Sequence, residues 1–169
     1  MTEAEVIAKV VRWVAARTSL LTIQGEQSEQ LPEWPTRYLV VRLSTISEMR
    51  DSPEAQEIVD DEPGDPETTI SQIPTMETEW RFSIHAYGPN PTAALQLLRA
   101  GSHVQSVNTI LSDAGLELHE TSLIRNLPEF LNEKWQPRAQ IDLFIRGLTR
   151  QGDVVDVIEE YAFEHERDA

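Results

Sequence analysis

The segment "NEKWQPRAQIDLFI" (Asn132–Ile145) is a polar turn that runs directly into a clean two-residue alternation. Ala139, Ile141, Leu143 and Ile145 fall on one face, and Gln140, Asp142, Phe144 and Arg146 on the other. That period predicts a half-buried strand over Arg138–Gly147. A second stretch, "WRFSIHAY", has the same character. Trp80, Phe82, Ile84 and Ala86 share one face; Arg81, Ser83, His85 and Tyr87 share the other. A third strand, "RYLVVRLSTI" (Arg37–Ile46), is rich in β-branched residues and follows Pro32 and Pro35.

Helices are marked by their ends. Thr2 and Glu5 have capping-box spacing ahead of the stripe Val6, Ile7, Val10, Val11 and Val14, with Trp13 at its edge. Asn90 and Pro91 suit an N-cap and first helical position, Ala94, Leu95, Leu97 and Leu98 supply apolar surface, and Gly101 suits the stop. Ser102 and Gln105 resemble another capping box, before Val104, Val107, Ile110, Leu111 and Ala114, with Gly115 as terminator. Further strands are expected over Leu116–Leu127 and about Val154–His165, with "LPEFLNEKW" a short helical turn or loop and residues 166–169 frayed. The expected fold is α+β: a single domain over 1–169 with a mainly antiparallel sheet of about four to five strands and helices on one face.

Between two of the strands lies Ser47–Glu79, with eleven Asp or Glu, one basic residue (Arg50), four prolines and one glycine. It carries −10 of the formal net charge of −15. It reads as a long loop or as an extended hairpin whose arms leave the flanking strands. The overall acidity argues against nucleic-acid binding through the general field of the protein. The 169 residues contain no Cys, which excludes disulfides, thiolate metal sites and Cys nucleophiles. The N-terminus lacks the pattern of a secretory leader, and no apolar run approaches the roughly eighteen residues of a membrane span.

Catalytic patterns are weak. His85, His103, His119 and His165 have no metal-ligand spacing, and His85 reads as a hydrogen-bonding residue on a polar strand face. His119 lies near Glu117 and Glu120, but adjacent strand residues point to opposite faces. Asp60, Asp61, Glu62 and Asp65 invite a calcium reading, yet "DDEPGDPETTIS" fails the loop pattern, with two prolines and Ser71 at its last position. No phosphate-binding glycine motif or nucleophile elbow is present. No cofactor or metal is expected. Trp13, Trp80 and Phe82 read as core. Trp34 and Trp135, both in turns, read either as lids on the core or as interface anchors.

The order and spacing of these segments resemble the phage neck or tail terminator family, also called tail-completion proteins. The likeness runs from about Leu20 to Phe163. Its most specific parts are Ala86-Tyr87-Gly88 before a helix, and Trp135-x-Pro137-Arg138-Ala139 with Asp142 four residues beyond Arg138. The resemblance implies a non-enzymatic virion protein of the neck, assembled in the host cytoplasm. It further implies a ring, commonly of six subunits, that ends tail-tube growth and docks on a head-completion or connector protein. DNA would pass through the channel without specific binding, and no membrane is involved. Candidate interface residues are Trp34, Tyr87, Trp135, Pro137, Arg138 and Asp142. Asp60, Asp61, Glu62, Asp65 and Glu67 are candidates for an acidic channel or inter-subunit loop. The Ser47–Glu79 segment departs from the family pattern by being longer and more acidic. Two other readings compete: a monomeric adaptor that binds peptide at a sheet edge, and a small metal-dependent hydrolase.

Overall fold

The computed structural model describes residues 1–25, 35–60, 70–104, 106, 108–131, 133–150 and 152–155. The first helix, α1 (Glu3–Thr18), starts as its sequence dictates: Thr2 Oγ1 accepts from the Glu5 amide and Glu5 accepts from the Thr2 amide. It stops at Ser19, whose φ of 55° is left-handed. Val6, Ile7, Val10, Trp13 and Val14 are buried.

A short strand follows, β1 (Leu21–Gln24), parallel to β2 (Tyr38–Glu48). Next come β3 (Ala55–Asp60) and β4 (Ile70–Tyr87), the latter an unbroken 18 residues. The second helix, α2 (Pro91–Gly101), precedes the four-residue α3 (Thr109–Ser112). Then follow β5 (Leu116–Thr121), β6 (Arg125–Asn126), β7 (Glu129–Leu131), β8 (Lys134–Gln136), β9 (Arg138–Arg150) and β10 (Asp153–Val155).

The main sheet runs β1-β2-β4-β9-β5, with β3 and β10 added to β4 and β6 to β9. Apart from β1–β2 every pairing is antiparallel. The α+β expectation holds. The expected four to five strands correspond to the five-strand path, with three short strands in addition. β4 is the spine. Its C-terminal half, Thr78–Tyr87, pairs with β2 on one edge and β9 on the other. Its N-terminal end continues past the core, where Ile70–Thr75 pairs with β3 and Ile70–Gln72 with β10. Of the two readings of Ser47–Glu79, the described parts take the hairpin form; Asp61, Glu62, Asp65 and Glu67 lie outside the described residues.

The helices cover one face of the sheet. Leu39 and Val41 of β2, Trp80, Phe82, Ile84 and Ala86 of β4, and Ala139, Ile141, Leu143 and Ile145 of β9 are all buried against α1, α2 and Leu111 of α3. Each fully buried Leu, Ile or Phe contributes about 1.5–3 kcal/mol over its exposed state. Gly101 makes room for the helix contact: a Cβ there would come within 2.7 Å of Arg17 Nε, which instead donates to the Leu97 carbonyl at 3.1 Å.

Five expectations need correction. "LPEFLNEKW" is not helical; it forms the β7–β8 hairpin, and Pro137 lies between β8 and β9. The helix expected through Val104–Ala114 shrinks to α3, with Val104 exposed; Gln105 and Val107 lie outside the described residues. Asn90 does not cap α2 with its side chain; it enters the helix in a left-handed conformation (φ 53°). Leu97 is exposed, because it points away from the sheet that Ala94, Leu95 and Leu98 face. The strand expected over Leu116–Leu127 breaks between β5 and β6. The expected last strand is described only over Asp153–Val155; residues 156–169, the expected frayed end among them, lie outside the described residues.

Candidate functional site

The sheet face without helices is polar, and its side chains converge in two places. The first is Asp142, on β9 opposite Ser83 of β4. Its residue is 1% exposed. Arg81 donates to Oδ2 at 2.5 Å and Arg125 to the same oxygen at 2.8 Å. Ser83 donates to Oδ1 at 2.9 Å and Gln140 to it at 3.2 Å. The backbone amide of Asp142 donates to Ser122 Oγ. Burial pushes this carboxyl up. The hydrogen bonds from Arg81, Ser83 and Gln140 and the Arg81 charge outweigh that, and hold it below the ordinary range. The guanidinium of Arg81 also lies 5.5 Å from the centre of the Phe144 ring. Four donors fill one carboxylate, which makes it a fastener of β4, β6 and β9 and leaves it no capacity for acid–base work.

The second place is at the end of the same strands. Tyr87 ends β4 and Tyr38 begins β2, so register puts them opposite one another. Their rings stack with centres 4.8 Å apart and planes 11° from parallel. Arg138, the register partner of Tyr87 on β9, sets its guanidinium 5.5 Å from the Tyr87 ring centre. It also donates to His85 Nδ1 at 2.9 Å and forms an ion pair with Glu129 of β7. Burial lowers the proton affinity of His85, and the positive charge of Arg138 lowers it further. Burial likewise pushes the Tyr38 hydroxyl up.

The chain turns sharply here. Gly88 has φ +94°, and a Cβ on it would sit 2.0 Å from the Thr36 carbonyl oxygen. Only glycine fits so close a backbone approach. The Gly88 amide donates to the Pro137 carbonyl at 3.2 Å. Pro35, Tyr38, Tyr87, Pro89, Gln136 and Pro137 thereby wall a cleft of about 480 Å³.

Beside the cleft stands the β7–β8 hairpin. Trp135 is 68% exposed and Phe130 59%, and their rings meet at 5.2 Å. Trp135 is therefore not a lid on the core. The hairpin is held through the Arg138–Glu129 pair and the Leu127 amide, which donates to the Arg138 carbonyl. An exposed aromatic pair on a fixed support loses little side-chain freedom when covered, the usual character of an interface anchor.

Of the sequence candidates, Tyr87, Trp135, Pro137 and Arg138 come together. Asp142 lies apart, in its own cluster on the same face. Asp60 ends β3 at the far end of β4. Trp34 lies outside the described residues. Reading the sequence missed Tyr38 at the cleft, Glu129 and Phe130 on the hairpin beside it, and Arg81 and Arg125 around Asp142. Arg81 and Ser83 were legible as the polar face of β4, but partners on other strands depend on register. Among the described residues no cluster of His, Asp or Glu could hold a metal ion, and no helix is long and apolar enough to cross a membrane. His119 is an exposed residue at the β5 bulge.

The sequence matches the model of the family described as phage neck terminator protein over residues 4–168. No curated protein matches it. Among solved structures it is similar to the sheath/tube terminator of an extracellular contractile injection system in its extended state, at 13% identity and a TM-score of 0.45. That similarity covers 100% of this chain, which spans 65% of the length of the other protein.

Proposed function

The chain belongs to the phage neck terminator family, and from that membership we propose a ring-forming subunit, six to a ring, that closes the tail tube and joins it to the head connector. The family is one of structural tail terminators, so the role is that of a virion tail component. The ring, the connector contact and the absence of catalysis belong to the proposal. One observation carries the contact side of it: the aromatic β7–β8 hairpin, exposed yet pinned to the sheet by Arg138 and Glu129. Heterologous contacts that close on themselves build rings, and such a hairpin supplies one half of a repeating contact.

The partners are further copies of the chain, the tail tube protein on one side and a head-completion protein on the other. DNA passes through without specific binding, because a chain of net charge −15 repels phosphate. Native mass spectrometry over a concentration series tests the ring. Six chains of 19.2 kDa give a species of about 115 kDa. A monomer at every concentration, which also fails to cap purified tail tubes, would overturn the proposal and return the peptide-binding adaptor.

A further inference from the structure

The apolar stripe of β9 does not stop where the helices do. Asn126 pairs with Ala139 and Glu129 with Gln136, so each strand spends three residues between the pairs and the register carries through. Phe130 and Trp135 therefore continue the alternation that buries Ala139, Ile141, Leu143 and Ile145. Helices cover the stripe from Ala139 onward, and at Trp135 it is bare. Both rings are more than half exposed, so their mutual contact leaves surface for another. The second helix shows the converse. Its Ala94, Leu95 and Leu98 face the sheet, while Ala93, Leu97 and Ala100 lie exposed on its outer side, at spacings of four and three. Ala100 also walls a groove of about 580 Å³ with Gln96, Arg99, His103, Leu123 and Ile124. Leu123 is 72% exposed, and among the described residues no carboxylate lines the groove. The chain thus holds a sheet stripe that lacks a helix and a helix stripe that lacks a sheet.

One molecule cannot join the two. The Ser122 amide donates to the Asp142 carbonyl, which fixes Leu123 near the level of Asp142. Trp135 precedes Asp142 by seven residues on the course of β8 and β9. At 3.3–3.4 Å per residue that is about 23 Å. A neighbouring copy is free of this limit. We propose that the β7–β8 hairpin of one copy seats Trp135 and Phe130 in the groove between α2 and Leu123–Ile124 of the next copy. The apolar walls take the two rings, and the Arg99 guanidinium lies over the indole face. In a chain of net charge −15, a cation at the contact also offsets part of the repulsion between copies. Hairpin and groove are different surfaces, so the contact is heterologous and repeats around a ring. The inference rests on the ring reading and supplies the second half of its contact.

The chain has no Cys, so single cysteines report the contact cleanly. Full chains carrying Lys134→Cys on the hairpin and Gln96→Cys at the groove, distinguished by a mass tag, are mixed and treated with a short bismaleimide. Both positions are exposed, so the variants keep their fold. A product joining the two variants is expected. Its yield should fall roughly tenfold or more when the hairpin copy also carries Trp135→Ala. Arg99→Glu on the groove copy, with circular dichroism to check folding, should weaken it as well. No mixed product, a product only between two hairpin variants, or a mixed product indifferent to both Trp135→Ala and Arg99→Glu would overturn the proposal. Native mass spectrometry of the same proteins separates the two readings. A six-chain species without the mixed product sinks the docking and keeps the ring. A mixed product with no species beyond the dimer does the reverse.

Discussion

Asp142 has almost no water around it, and two half-exposed guanidiniums and two neutral donors share its oxygens. Removing a buried charge strands its partners, but here both arginines can turn to solvent. Asp142→Ala should therefore cost about 3 kcal/mol, the low end for breaking a buried pair. Urea unfolding at pH 7 measures it, and a loss under about 1 kcal/mol would mean the arginines rehydrate at no net expense. The neighbouring His85 gives a pH dependence of definite sign. Its proton affinity is depressed in the fold, and its Nδ1 accepts from Arg138 only when unprotonated. Its contribution is complete above the unfolded value of 6.5 and lost as pH falls below it. Stability should decline from pH 6.5 downward, and His85→Gln should flatten that limb in unfolding curves taken at successive pH values. An unchanged slope would remove His85 from the account. The Asp142 carboxyl, also depressed, adds a second loss at lower pH, as acid passes below its ordinary 3.8.

The β7–β8 hairpin makes a prediction about elements. Trp135 is largely exposed and its ring meets Phe130, so Trp135→Ala should change unfolding free energy by no more than about 1.5 kcal/mol, the size of an aromatic pair. Assembly should suffer far more, read as loss of the ring species in native mass spectrometry. A large stability loss with intact rings would make the hairpin a structural prop. This hairpin also shows where sequence reading stops. β4 and β9 were legible, because burial on one face imposes a period of two on each strand, and α1 was legible through Thr2 and Glu5. The β7–β8 turn was not. It passes through Glu133 at φ +63°, where a glycine or asparagine would have signalled it. The entry to α2 is similar, since Asn90 serves by its backbone and not its side chain. β1 is four residues long and its parallel pairing with β2 is non-local, so no local pattern announces it. The cleft was half legible: Tyr87, Pro137 and Arg138 stood out, whereas Tyr38 and Glu129 are partners that only strand register supplies.

At the scale of the whole molecule, the central pairing joins Thr75 to Arg150 and Tyr87 to Arg138, so the sheet closes long loops before its contacts can stabilise it. Such topologies fold in milliseconds to seconds. Trp13 and Trp80 are buried, at 1% and 2% exposure, while Trp135 is open. In a Trp34→Phe background, stopped-flow refolding should show a concentration-independent phase from the two core tryptophans. A slower phase from Trp135 should scale with protein concentration. A single concentration-independent phase would mean that Trp135 is never covered. The unbroken course of β4 has a further consequence, for how the hairpin beyond the core can change in length. The Asp60–Ile70 pair stands on the same ladder as the core, so its height is set residue by residue. Two residues added to each of β3 and β4 would raise it by roughly 7 Å and keep the strand residues on their original faces. One residue added to each would turn the strand residues beyond the insertion to the opposite face. Variation in this projection is therefore quantised, and only steps of two leave its outward chemistry unchanged.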